Sequence, residues 1–146
     1  MKRYLWSLAV FTILSTIIAC GDGDLAESRQ ASTPGQSGQQ QGPIFRSIPP
    51  REAAALIESR KDLLLIDVRS PEELREGSIP GSQLVPIGEL ARGRMTLPTG
   101  RPLLLICAVG GRSYAVGQYF SRKGYPEIYN LQGGISAWKR AGLPLQ

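Results

Sequence analysis

Histidine does not occur anywhere in the 146 residues of this chain. Its absence excludes Ser-His-Asp and Cys-His nucleophile pairs, and any zinc site built on imidazole. Cysteine is nearly as scarce, with only Cys20 and Cys107. Two thiols and no imidazole are too few ligands for a metal centre, and no cofactor is expected. The one glycine-rich turn that follows an apolar strand lacks the lysine of a phosphate-binding loop. Long apolar stretches are missing as well. The longest, residues 5–19, has about fifteen residues, whereas a spanning helix needs about 20. Lys and Arg number 17 against 12 Asp and Glu, for a formal charge of +5. These charges are scattered, with no stripe or run, so they give no nucleic-acid surface. They allow only a mild attraction for small anions or an anionic membrane.

What is present divides the chain into three parts. Residues 1–4 are a short basic start, and residues 5–19 are apolar apart from Ser7, Thr12, Ser15 and Thr16, the layout of a secretory signal. That segment ends Ile17-Ile18-Ala19-Cys20-Gly21, which resembles the lipobox of bacterial lipoproteins, with isoleucine where leucine is commonest. The resemblance implies lipidation of Cys20, anchorage to a membrane through the N-terminal lipid, and a location in the cell envelope facing the periplasm or extracytoplasmic space. An uncleaved anchor or an ordinary signal with Cys20 incidental is the alternative. Gly21, standing where aspartate would signal inner-membrane retention, leans toward the outer membrane. Removal of residues 1–19 takes away Lys2 and Arg3 and lowers the charge to +3. Residues 20–43 are rich in Gly, Ser, Gln, Asp and Pro, with Leu25 the only large apolar side chain. Such a segment cannot bury enough surface to fold, and is expected to be a tether with a reach on the order of 25–30 Å.

Residues 44–146 carry the patterning of a folded domain. Strands are expected over 45–48, 63–68, 83–86, 103–107 and 128–131, with helices over 51–60, 87–94 and 113–123. A short helix is expected after Ser70-Pro71-Glu72-Glu73, which reads as a capping box, and a final helix after Gly133-Gly134. The continuous apolar runs at 63–68 and 103–107 suit strands covered on both faces. Strands alternating with helices predict an α/β fold, a small, mostly parallel sheet flanked by helices on both faces. Ligands in such sheets bind beyond the carboxyl ends of the strands, where Asp67, Arg69, Cys107 and Asn130 should converge.

Cys107 ends the second apolar run and is followed by Ala108, Val109, Gly110, Gly111, Arg112 and Ser113. A tight loop leading into a helix turns successive N–H groups toward the sulfur and adds the helix's partial positive charge. An ordinary thiol, with a pKa near 8.5, is only a few per cent ionised at neutral pH. One or two charge-assisted bonds, at about 1.5–3 kcal/mol each, would shift that balance toward thiolate. Gly110 and Gly111 let the backbone curl without a side chain in the anion's way. By itself, a cysteine ending an apolar strand is more often a buried structural residue.

The segment Cys107-Ala108-Val109-Gly110-Gly111-Arg112-Ser113 is similar to the C-x-x-G-x-R-S loop of rhodanese-like proteins. The resemblance extends through Leu65-Ile66-Asp67-Val68-Arg69 with Pro71-Glu72-Glu73, then Gly77-Ser78-Ile79-Pro80-Gly81-Ser82, and finishes with the block from Tyr129 to Trp138. Ser78 departs from the family's frequent histidine. The resemblance implies a sulfurtransferase in which Cys107 takes a sulfane sulfur from a small donor such as thiosulfate or a persulfide. It then passes that sulfur to a thiol or cyanide acceptor by ping-pong kinetics. It also implies that residues 108–113 bind substrate, with Arg112 shaping the loop and assisting anion binding. By residue type alone, Arg112 could equally be a surface cation or a clamp on loop carbonyls. Arg69 is expected to pair with Glu72, Glu73 or Glu76, Asp67 to be a scaffold hydrogen-bonder, and Trp138 to be core.

With Ala108 and Val109 uncharged, thiosulfate, a dianion, should bind weakly, favouring a less charged persulfide or polysulfide. A dual-specificity phosphatase of related architecture would need seven residues from cysteine to arginine, and this loop has six. A sulfur-carrier or binding module without turnover is the alternative from another class, and a redox-responsive thiol ranks below it. Any protein partner is unknown.

Overall fold

Two apolar runs set the architecture, since strands covered on both faces read as near-continuous apolar segments. The computed structural model describes residues 42–146, and the expected signal, the Cys20 lipidation site and all of the tether but Gly42 and Pro43 lie outside them. The described chain runs β1 (Ile44–Ile48), α1 (Pro50–Ser59), β2 (Leu64–Asp67), a 3-10 segment (Glu72–Glu76), β3 (Gln83–Leu84) and α2 (Ile87–Ala91). It continues through β4 (Leu103–Ile106), α3 (Gly111–Ser121), β5 (Glu127–Leu131) and α4 (Gly134–Arg140). The five strands form one sheet in the order β1-β5-β4-β2-β3, and every pairing is parallel. Among the described residues no helix is long and apolar enough to cross a membrane.

Side chains alternate across the sheet and so feed two cores. Leu104 and Ile106 of β4 face one side, with Leu65, Leu131, Ala53 of α1, and Ile135 and Trp138 of α4. Leu103, Leu105 and Cys107 face the other, with Ile66, Val68, Val116 of α3 and the half-buried Ile87, Leu90 and Phe120. All four β4 side chains are fully buried, each contributing roughly 2 kcal/mol of apolar transfer. The expected two-sided α/β arrangement is what the chain forms. Trp138 lies in the core as expected, its indole N–H donating to the Pro144 carbonyl at 2.9 Å.

β3 and α2 end earlier than the expected 86 and 94, and two further differences bear on the site. The capping-box segment forms a 3-10 stretch, held by i to i+3 bonds from Glu73 N–H to Ser70 O (3.2 Å) and from Gly77 N–H to Leu74 O (2.9 Å). Only half of the box forms, with the Glu73 carboxylate accepting the Ser70 N–H at 3.1 Å. The Arg69 guanidinium donates to the carbonyls of Glu73 (3.1 Å) and Gly77 (2.8 Å), so the segment is wrapped around it as a short turn. The helix after the cysteine starts at Gly111, two residues before the expected 113, because Gly110 takes φ 90° and its carbonyl receives the Tyr114 N–H at 3.1 Å. The sulfur-bearing loop is correspondingly tighter.

Candidate active site

The parallel register places Asp67 beside Ile106, and Leu105 beside Asn130. The chain therefore leaves β2, β4 and β5 at one edge, and the expected convergence occurs there. Cys107 follows β4 directly and its side chain is 0% exposed. Its sulfur is not simply packed in hydrocarbon. Sγ accepts the Gly110 N–H at 3.1 Å and lies 3.3 Å from the Ser113 hydroxyl. Burial by itself pushes the thiol up. Hydrogen bonds from the Ser113 side chain, and from the backbone at Ser113, Val109 and Gly110, outweigh it and bring the thiol below its ordinary value.

The buried Ser113 hydroxyl has one proton and three acceptors within reach. Besides Sγ these are the Gly110 carbonyl at 3.2 Å and Asn130 Oδ1 at 2.6 Å. A charged thiolate competes for that proton better than a neutral thiol, since charge-assisted bonds are the stronger ones. Asn130 is fixed in turn by donating to Ser47 Oγ of β1 at 3.0 Å.

The remaining loop residues take distinct places. Ala108 is half-buried and its carbonyl accepts the Ser136 N–H of α4 at 3.1 Å, next to the bond from Ile135 N–H to the Cys107 carbonyl at 2.9 Å. Val109 is the exposed tip, at 69%. Gly110 is buried, and a Cβ there would stand 2.9 Å from Gly133 N. Gly111 faces solvent, where a Cβ would meet nothing within 4 Å.

Arg112 does not clamp loop carbonyls. Its Nη1 and Nη2 lie 2.8 and 2.5 Å from the two carboxylate oxygens of Glu73. The Glu73 bond, more than any other influence, favours the charged guanidinium, and the Cys107 sulfur adds to it. The expected pairing of Arg69 with Glu72, Glu73 or Glu76 is corrected: Arg69 pairs with Asp67, Nη2 to Oδ2 at 2.7 Å, both side chains 1% exposed. Asp67 is thus the scaffold hydrogen-bonder expected, and it also accepts the Arg69 N–H at 3.0 Å.

Sequence reasoning had no role for Gly134, Ser47 or the Glu73 carboxylate in the loop's surroundings. Contacts of Glu73 with Arg112 and of Ser47 with Asn130 span 39 and 83 residues, beyond any local pattern.

Comparison with known proteins agrees with this geometry. The family model of the rhodanese-like domain matches residues 49–141. The chain belongs to the rhodanese-like family. A sulfurtransferase of Allochromatium vinosum is 38% identical over 85 residues, covering 58% of this chain and 79% of that protein. The thiosulfate sulfurtransferase GlpE of Pseudoalteromonas translucida is 27% identical over 97 residues, covering 66% and 91%. Among solved structures, a rhodanese-related protein from Thermoplasma volcanium superposes with a TM-score of 0.60 at 37% identity, covering 69% of this chain and 97% of that one. The relatives named here support sulfurtransferase activity in general.

Proposed function

We propose that Cys107 is the nucleophile of a sulfurtransferase that carries sulfur as a persulfide. The thiolate attacks the sulfane sulfur of thiosulfate, the S–S bond to the sulfonate breaks with its electron pair, and sulfite leaves. The resulting Cys107–S–S⁻ gives its outer sulfur to cyanide or a thiolate, and the Cys107 thiolate returns. The observation that carries this reading is the sulfur held among the Gly110 N–H, the Ser113 hydroxyl and the N-terminus of α3. Both Cys107–S⁻ and Cys107–S–S⁻ carry one negative charge, so one cradle of donors serves both halves of the cycle.

Thiosulfate is expected to be a modest donor, with a preference for a less charged persulfide or polysulfide. The relative named for thiosulfate gives that donor its place in the test. A carrier role without turnover is the second reading, favoured by the exposed, uncharged Val109 tip, a surface that a protein donor could cover. Intact mass after incubation with thiosulfate, then cyanide, separates the two. Added mass of one sulfur that is lost as thiocyanate supports the enzyme, and a stable adduct without thiocyanate supports the carrier. No adduct, or one that persists in Cys107→Ser, rejects both.

We further propose that residues 1–19 are a signal, that Cys20 is lipidated, and that residues 20–43 tether the domain to an envelope membrane on its extracytoplasmic side. Retention of Cys20→Ala in the membrane fraction would reject the anchor.

A further inference from the structure

Arg112 is the only charged side chain in residues 107–113, and its charge is not free. It is held at two points by Glu73, at 2.8 and 2.5 Å. Glu73 is itself fixed twice: its carboxylate accepts the Ser70 N–H at 3.1 Å, and its carbonyl accepts Arg69 Nη1 at 3.1 Å. Arg69 is anchored on the buried Asp67. A line of four charged residues thus runs from the end of β2 to the sulfur loop, and Glu73 is the link that meets Arg112. Chiefly because of the Arg112 hydrogen bond, the Glu73 carboxyl is held down at about 2, so it is ionised throughout the neutral range.

We propose that Glu73 is a specificity-determining residue of the sulfur-transfer site, holding the Arg112 guanidinium in place and cancelling its charge so that the site disfavours doubly charged donors. This rests on Cys107 being the sulfur acceptor. With the thiolate at −1, Arg112 at +1 and Glu73 at −1, the loop and its ion-pair partner carry a net −1. Without the Glu73 charge they would be neutral. The main-chain N–H groups serve any sulfane sulfur alike, so donor charge is discriminated through Arg112 and Glu73.

Two donors isolate that effect. Thiosulfate, a dianion, transfers its outer sulfur and releases sulfite. Methanethiosulfonate, a monoanion, transfers the same kind of sulfur and releases methanesulfinate, the S–S bond breaking with its electrons toward the sulfinate. The Glu73 substitutions are assayed with both, cyanide being the acceptor. The quantity read is the ratio of kcat/KM for thiosulfate to that for methanethiosulfonate. The folded fraction and the acceptor half-reaction cancel from this ratio.

Glu73→Gln is expected to raise the ratio about five- to tenfold over the unsubstituted chain at low ionic strength, with the gain shrinking as salt is added. Glu73→Asp keeps the charge but shortens the reach, so kcat/KM should fall for both donors while the ratio holds. A ratio unchanged in Glu73→Gln, or raised equally in Glu73→Asp, overturns the proposal. If the unsubstituted chain takes up sulfur from neither donor, the sulfurtransferase reading itself fails instead.

Discussion

Replacing Gly134 with alanine tests whether α4 holds the sulfur loop in shape. Gly134 has φ +57°, and a Cβ there would stand 2.2 Å from the Cys107 carbonyl oxygen and 2.6 Å from both the carbonyl carbon and oxygen of Ala108. These are backbone atoms, with no rotamer through which to yield. Relief requires α4 to part from the loop, weakening the bonds that Ile135 and Ser136 donate to the same two carbonyls. Overpacking costs about 1–3 kcal/mol, left-handed backbone for alanine about 1 kcal/mol, and each weakened hydrogen bond about 1 kcal/mol. These overlap, and a loss of about 3–4 kcal/mol is expected, a large share of the 5–15 kcal/mol typical of a domain. Gly117 and Gly111 calibrate the scale. At Gly117 a Cβ would meet the Phe45 ring at 2.4 Å; the ring can tilt, so about 1–2 kcal/mol is expected. At Gly111 nothing lies within 4 Å, and alanine should stay within about 0.5 kcal/mol of the original. Urea unfolding followed by circular dichroism gives the three values, and peptide mass spectrometry of alkylated Cys107 reports whether the loop keeps its reactivity. A Gly134→Ala cost below about 1 kcal/mol, or one matched by Gly117→Ala, would refute the packing argument.

Two further substitutions probe the site's polar framework. The Cys107 thiol is held below its ordinary value, so its contribution to stability is absent at pH below the folded value, grows as pH rises through it, and is complete above the unfolded value. Ser113→Ala removes one hydrogen bond to that thiolate, so the pH profile of Cys107 alkylation should move up, with alkylation at pH 7 slowed about tenfold and the gain in stability with pH flattened. An unchanged profile would show that the hydroxyl proton serves Asn130 instead. Arg69→Ala leaves Asp67 buried without its cation and is expected to cost about 3–5 kcal/mol in urea unfolding. A cost under about 1 kcal/mol would mean that the buried pair does not hold this edge of the sheet.

The parts of the fold most legible in the sequence were those governed by burial of apolar side chains. The run at 103–107 suits a strand covered on both faces and is short for a helix, and its glycine-rich sequel suits a tight turn, so the position of Cys107 followed. Arg69 shows where that reasoning stops. Carboxylates three to seven residues ahead looked like its natural partners on a helix surface. The segment instead closes into a 3-10 turn that wraps its carbonyls around the guanidinium, and the strand-end carboxylate two residues back becomes the partner. The pairing of Arg112 with Glu73 depends on β2 and β4 being neighbours, which strand order decides and local pattern does not. Gly133-Gly134 was legible as a turn, but its role against the loop carbonyls appears only once α4 is docked.

The same contacts explain how a chain without histidine can hold a thiolate with main-chain N–H groups and one serine hydroxyl. A ring of N–H groups helps an anion only if it is already aimed, because turning amides toward the charge at the moment of reaction would forfeit the gain. Here the loop is pressed from the β5–α4 side, where Gly110 meets Gly133 and α4 donates to the carbonyls of Cys107 and Ala108. It is tied from the β2 side through Glu73 and Arg112. With its carbonyls engaged by α4, the loop keeps N–H groups for the sulfur. In the proposed cycle the charge grows no larger as Cys107–S⁻ becomes Cys107–S–S⁻; it only moves outward by one S–S bond. A rigid cradle then suffices, and what must vary between donors is the charge they bring, which falls to the Arg112–Glu73 pair.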